Sequence, residues 1–295
     1  MNFAYRPLSS KIGAEITGLD LRQPIDADAL ARLRQVWLDH VIVLFAGQDL
    51  DDDQQVAFSR CTGSLELINM AALQVDGKPE VYAATNLDRN QEFLPLDNLV
   101  MQTNRDNAKW HSDSSFKKAP AMASLLHARI VPPVGGGTCF ANMAAAYDAL
   151  DEAMKERIEG LIGVHNFFWS RRGLDEDQIV FTKAEMAAIP PVRHPVARIH
   201  PETGRKAIYV GSHTKTIEGM AFDAARDLIE ALLAHATQPE FVYEHQWRVG
   251  DLILWDNRTA LHRGTKFDMR QHKRRLHRTT IAGTGPTIRE DARAL

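Results

Sequence analysis

The sequence predicts an all-β core with flanking helices, built as a double-stranded β-helix (a jelly roll, cupin-like). Three observations predict it. Short apolar runs of strand length recur along the chain, separated by turn residues. The helical stretches are few and do not alternate one-for-one with strands, which argues against a doubly wound parallel sheet. No internal repeat, low-complexity tract or linker divides the 295 residues. A single domain over 1–295 is therefore expected.

Taken in order, residues 3–21 are extended, with Ile12, Ile16 and Leu19 spread among Gly13 and Gly18. Asp26 is placed to cap a helix carrying Leu30, Leu33, Val36 and Trp37 at helical spacing. The unbroken apolar run 41–45 is a strand buried on both faces. Asp51, Asp52 and Asp53 supply a cap and favourable charge for a short helix through Phe58. A strand is expected at 81–85. Residues 86–109 are polar and irregular, so 62–109 reads as a lid or substrate loop. Strands follow at 123–131, from Thr138, and at 164–169. Residues 144–161 form one helix, and 170–190 a charged insertion with a short helix near Lys183. A hairpin at 196–210 turns around Pro201-Glu202-Thr203-Gly204. An amphipathic helix at 223–236 precedes strands at 241–247, 252–255 and 276–281.

Bulk properties exclude several function classes. The net charge of -3 gives no global sign of nucleic-acid binding. Two cysteines, Cys61 and Cys139, make neither a disulfide framework nor a cysteine zinc cluster, and fit a reducing cytoplasm. The N-terminus lacks an apolar signal region, and no apolar run approaches a membrane span. A cytoplasmic protein without membrane or nucleic-acid partners is expected.

The chemistry centres on Trp110-His111-Ser112-Asp113-Ser114-Ser115-Phe116. In a strand, residues two apart share a face, so His111 and Asp113 would converge on one point. That is two-thirds of the two-His-one-carboxylate arrangement that holds non-haem Fe(II) and leaves positions open. With twelve histidines in the chain the pattern alone is weak. A rival, His200-Pro201-Glu202, sits in the hairpin turn, where it would be exposed and mobile. The candidate third ligand is His262, after the buried strand that ends at Trp255-Asp256-Asn257. Trp255, Asp256 and Asn257 are candidates to orient the ligands, because a metal-bound histidine donates its other N–H to an acceptor. From His262 to Arg278 there are seven Lys/Arg against one acid, Asp268. Arg274, Leu276 and Arg278 would share a strand face, and an inward Arg requires an anionic partner.

These motifs resemble the Fe(II)/2-oxoglutarate-dependent dioxygenases of the taurine dioxygenase and 2,4-dichlorophenoxyacetate dioxygenase group. The resemblance rests on the stretch around His111 and on Val131-Pro132-Pro133-Val134-Gly135-Gly136-Gly137-Thr138. Tyr147-Asp148-Ala149-Leu150, Gly250-Asp251-Leu252-Ile253-Leu254-Trp255-Asp256-Asn257-Arg258 and Leu276-His277-Arg278-Thr279-Thr280 add to it. It covers nearly the whole chain, and the phenoxyalkanoate branch looks nearer than the taurine branch. The resemblance implies His111, Asp113 and His262 as iron ligands. It implies Thr138 and Arg274 for the distal carboxylate of 2-oxoglutarate, and Arg278 between the cosubstrate and the substrate carboxylate. Asn107 and Ser115 match residues near the substrate. Where that branch carries lysines, this chain has none, and Asn69 or Arg105 would substitute. Met70, Leu73, Val100 and Met101 are candidates for an apolar pocket.

The implied cofactors are Fe(II), with 2-oxoglutarate as cosubstrate, O₂, and ascorbate as an activator in vitro. The implied reaction hydroxylates an anionic aryl substrate, cleaving aryloxyalkanoates to a phenol and glyoxylate with release of succinate and CO₂. The alternative substrate is a sulfonate or sulfate ester such as taurine. Readings from other classes are a non-catalytic jelly roll binding anions or RNA through 263–278, and a zinc hydrolase. Family habit implies a homo-oligomer.

Overall fold

The computed structural model describes residues 2–75, 77–171 and 182–288. The chain opens with β1 (Ala4–Pro7), β2 (Ala14–Thr17), α1 (Ala27–His40), β3 (Ile42–Phe45) and α2 (Asp52–Arg60). Then come β4 (Gln74–Val75), β5 (Lys78–Thr85), α3 (Leu99–Asp106), β6 (Ala123–Ile130) and β7 (Thr138–Asn142). The middle holds α4 (Met143–Asp148), α5 (Glu152–Ile158), β8 (Ile162–His165), α6 (Phe167–Ser170) and α7 (Lys183–Ala188). Next are β9 (Val192–Pro195), β10 (Ala197–Ile199), β11 (Lys206–Ile208), β12 (Thr214–Ile217) and α8 (Phe222–Ala236). The last strands are β13 (Val242–His245), β14 (Leu252–Asp256), β15 (Ala260–Gly264) and β16 (Arg275–Ile281).

Eight strands form one sheet in the order β1-β2-β3-β14-β6-β16-β5-β4, and β13-β7-β15 form a second. Period-two alternation shows how the large sheet is buried on both faces. Ile42 and Leu44 of β3, with Ile253 and Trp255 of β14, pack toward Phe140 and Ala260 of the second sheet. Val43, Phe45, Leu252 and Leu254 point the other way, onto Leu33 and Trp37 of α1 and Phe58 of α2. Each such side chain, fully buried, contributes about 1.5–3 kcal/mol. The two packed sheets are the expected jelly roll, and the helices flank it.

The caps expected at Asp26 and Asp51 are present. Asp26 accepts from the Ala29 N–H at 2.8 Å, and Asp51 and Gln54 form a reciprocal capping box. Several expectations need correction. The helix expected over 144–161 is two helices, because Asp151 caps a new start by accepting from Met154 N–H. The strand expected at 164–169 ends at His165, where Asn166 caps α6. Residues 86–109 are not irregular throughout: Asn98 caps α3. Much of the 170–190 insertion lies outside the described residues, though its helix is α7. No described helix is long and apolar enough to cross a membrane.

Candidate metal centre and its two cavities

His111 does not lie in a strand with Asp113. It forms an isolated antiparallel bridge with His262, and Asp113 begins the turn that follows. Convergence is achieved across the bridge instead. The His111 N–H donates to the His262 carbonyl at 3.0 Å and the His262 N–H returns the bond at 2.9 Å. Directly opposed residues put their side chains on the same face, and the two imidazole centroids are 4.2 Å apart. His262 sits within β15, a strand that the sequence reading left out. The turn brings Asp113 Oδ1 to 3.9 Å from His111 Nε2, and Oδ2 to 3.7 Å from His262 Nε2.

One ligand atom from each of the three residues falls within 4.8 Å of the others, and all three side chains are buried. His111 Nδ1–H donates to the Lys109 carbonyl at 2.8 Å, which leaves the Nε2 lone pair facing the carboxylate. Burial pushes both histidines toward the neutral, ligating form. Burial alone would raise the Asp113 carboxyl, but Arg278, His262, His111 and Ser124 outweigh it and hold it well below the usual range. Two neutral imidazoles and one carboxylate on one side of a point fit a divalent first-row metal with open positions.

Asn257 anchors the carboxylate. Its Oδ1 accepts from the Asp113 backbone N–H and from Trp255 Nε1. Its Nδ2 donates to Ser124 Oγ, which in turn donates to Asp113 Oδ2 at 2.7 Å. Asp256 does not join this network. It faces away, accepting from Arg258 and pairing with His200 at 3.0 Å. Burial opposes its charge, yet Arg258 and His200 hold its pKa at about 2. His200 is therefore only 1% exposed, not a mobile turn residue, because the β10–β11 turn packs onto the loop after β14.

The triad stands in a wall between two cavities, of about 600 Å³ and about 530 Å³. His111, Tyr82, Asn107 and Arg278 line both; Asp113 faces the first and His262 the second. Arg278 donates to Asp113 Oδ1 at 2.5 Å and lies 4.6 Å over the Tyr82 ring.

The second cavity is lined by Thr138, Trp255, His262 and Arg274. Burial lowers the Arg274 pKa to about 10, and its Nε donates to the Gly136 carbonyl at 2.9 Å. Gly136 has φ +67°, and a Cβ there would sit 2.7 Å from Pro132 and 3.3 Å from Arg274. The glycine run thus lets Arg274 lie across the loop. Thr138 Oγ1 accepts from Trp247 Nε1 at 3.0 Å. The basic run 263–278 is not one patch. Arg274 and Arg278 turn inward, Arg263 lies over Trp110 and Arg275 donates to the Asp88 carbonyl.

The first cavity is lined by Asn69, Met70, Leu73, Phe116, Phe167 and Arg171 among others. Arg105 instead lines the second and donates to the Leu96 carbonyl. Val100 and Met101 are buried and line neither cavity. Ser115 also lies behind the wall: its carbonyl accepts from His194 and its hydroxyl meets His213. Sequence reasoning missed Tyr82, Phe167, Arg171, His213 and Trp247. Phe116, the last residue of the central motif, lines the cavity too and had a local signal. The others come from distant segments with no motif of their own.

Residues 4–280 match the family model described as taurine catabolism dioxygenase TauD, TfdA family. The chain is 37% identical over 286 residues to the alpha-ketoglutarate-dependent 2,4-dichlorophenoxyacetate dioxygenase of Cupriavidus pinatubonensis, covering 95% of this chain and 98% of that one. It is 36% identical over 286 residues to the (S)-phenoxypropionate/alpha-ketoglutarate-dioxygenase of Sphingobium herbicidovorans, covering 95% of each. The crystal structure of AAD-2 in complex with Mn(II) and N-oxalylglycine superposes with a TM-score of 0.90 at 38% identity, covering 98% of this chain and 100% of that one. With the bridge that joins His111 to His262, the fold and the match over nearly its whole length, the chain belongs to the TauD/TfdA family of dioxygenases.

Proposed function

We propose that this protein is an Fe(II)- and 2-oxoglutarate-dependent dioxygenase that hydroxylates an anionic aryl substrate. Aryloxyalkanoates such as 2,4-dichlorophenoxyacetate are the substrates it fits best. The observation that carries this reading is the triad set between two cavities, one holding the buried Arg274 and one where Phe116, Phe167, Met70 and Leu73 stand beside Arg171 and Arg278.

His111, Asp113 and His262 would hold the iron. When bound, iron with 2-oxoglutarate and O₂ supplies an oxidative decarboxylation to succinate and CO₂, coupled to hydroxylation of a substrate C–H. Arg274 and the Thr138 hydroxyl would fix the distal carboxylate of 2-oxoglutarate in the second cavity, since a planar guanidinium grips a carboxylate with two parallel bonds. Arg278, shared by both cavities, would orient Asp113 and the anionic groups on either side. Asn69 and Asn107 offer amides to the substrate, and Met70 and Leu73 offer apolar wall. Hydroxylation at the carbon bearing the ether oxygen gives a hemiacetal, which collapses to a phenol and glyoxylate. Residues 62–109 act as the substrate-side segment of a single domain. A cytoplasmic location, fitting the free thiols of Cys61 and Cys139, and a homo-oligomeric state belong to the same reading.

The test is succinate release in air with Fe(II), ascorbate and 2-oxoglutarate, across phenoxyacetates, phenoxypropionates, indole-3-acetate and taurine. Succinate stimulated by an aryl acid, with phenol released in equal amount for an aryloxyacetate, is expected. Stimulation by taurine alone would move the protein to the sulfonate branch. Failure to bind iron and 2-oxoglutarate would end the reading.

A further inference from the structure

The first cavity contains an ionic cluster that the metal and 2-oxoglutarate do not account for. Arg171 Nη1 lies 3.0 Å from Asp106 Oδ2, and the two side chains are 11% and 10% exposed. Lys109 Nζ lies 3.9 Å from the other carboxylate oxygen. Two cations thus share one anion among the described residues, and of the two only the Arg171 guanidinium is buried in the cavity wall, Lys109 being 32% exposed and bonded to the Ser170 carbonyl. Such a charge is costly unless an anion completes it. Arg171 Nε and Asp106 Oδ1 have no hydrogen-bond partner among the described residues. Of the other cations lining this cavity, Lys117 is held by Glu66 and Arg278 by Asp113.

The surroundings of Arg171 describe what that anion is attached to. Its guanidinium carbon lies 4.3 Å from the centre of the Phe167 ring. Phe167 meets Phe116 edge-on at 4.8 Å, Phe116 meets His213 at 5.1 Å, and His213 lies 6.3 Å from His111. A line of rings therefore connects Arg171 to a candidate metal ligand. Stacking on Phe167 fixes the plane of the guanidinium, and Asp106 holds one end of it.

We infer that Arg171 is a specificity-determining residue of the substrate cavity: together with Arg278 on the same cavity wall, it draws in and holds the carboxylate of an aryl acid, completing the charge beside Asp106. This rests on the dioxygenase reading and names a second group, beside Arg278, that reads the substrate's charge.

The experiment compares wild type, Arg171→Met and Arg171→Lys on phenoxyacetate and its neutral analogue phenoxyacetamide, following phenol and succinate. Wild type favours the acid. In Arg171→Met, kcat/KM for the acid falls about 10- to 100-fold, the loss expected for a charge-assisted pair, and the fall lies in KM. The amide is not penalised, so the acid-over-amide ratio collapses, and Arg171→Lys recovers part of it. Should Arg171→Met fail to fold with Asp106 left uncompensated, Arg171→Met/Asp106→Asn removes both charges and tests the same ratio. An unchanged ratio, or an equal fall for acid and amide, overturns the inference while the dioxygenase reading stands. If wild type releases no succinate with any aryl acid, the underlying reading fails and this inference with it.

Discussion

The two cavities differ in how they are built. Strands form one side of the second, where β7 brings Thr138, β14 Trp255 and β15 His262, while the end of α3 and the loop 265–269 close the other and Arg274 immediately precedes β16. Much of the first is bounded by short helices and connections, with Met70, Phe116, Phe167, Arg171 and Ile189 in its wall. A group fixed on paired strands keeps its position while loops around it change. On the proposed assignment, the cosubstrate would sit against the strand-borne groups and the choice of substrate would fall to the more adaptable side.

Substitutions can break that comparison. The largest effect is expected at the shared wall. His262→Ala removes a candidate ligand and should reduce succinate release to the level seen without protein, for every substrate alike. Asn257→Ala frees the Asp113 carboxylate from its amide and serine bonds. Loss of such a supporting group costs about 10–100-fold in metal affinity or activity, measurable by iron titration, and again independent of substrate.

Acid sharpens the comparison through stability. His194 lies behind the first cavity, its Nε2 donating to the Ser115 carbonyl at 2.9 Å. Burial, then the Arg198 charge, lowers its folded-state pKa to about 4 from an ordinary 6.5. Between those values the unfolded chain takes a proton that the folded protein refuses. Stability is thus unaffected by this group above pH 6.5 and falls as pH drops below it, by up to about 1.4 kcal/mol per pH unit. His194→Gln should flatten the slope of urea midpoint against pH between 6.5 and 4; an unchanged slope would refute the assignment.

Smaller effects should separate the cavities. Trp247→Phe keeps the ring but deletes the bond to Thr138 Oγ1. The KM for 2-oxoglutarate should rise severalfold, consistent with about 1 kcal/mol for one hydrogen bond, with the KM for the aryl acid unmoved. Met70→Ala should do the reverse, changing the ranking of ring-substituted phenoxyacetates by a few-fold while leaving 2-oxoglutarate kinetics as they were.

The same division explains what was legible in the sequence. The apolar run 41–45 and the caps at Asp26 and Asp51 announce themselves locally, through composition and side chains that bond their own backbone. His111 and Asp113 stood out through residue type and spacing, whereas His262 as a third ligand and the role of Arg274 came from the resemblance to the dioxygenase family. Arg171 and His213 were not legible, since each reaches the cavity only through tertiary packing. The strand geometry assumed for His111 and Asp113 was wrong although the two residues do converge. A single bridge followed by a turn achieves what a continuous strand would have done. Asp256 was misassigned because its neighbour in sequence, Asn257, points to the opposite side of the loop.

The reciprocal bond between His111 and His262 has a consequence for how the protein comes into being. The two residues stand far apart in the chain, on either side of β6 through β14, yet they close one small ring of backbone hydrogen bonds. During synthesis the first half of the site waits until nearly the whole chain has emerged and β15 has docked. A truncated or stalled chain would carry His111 and Asp113 without their partner. On the proposed assignment, formation of the metal site would thereby wait on the docking of β15.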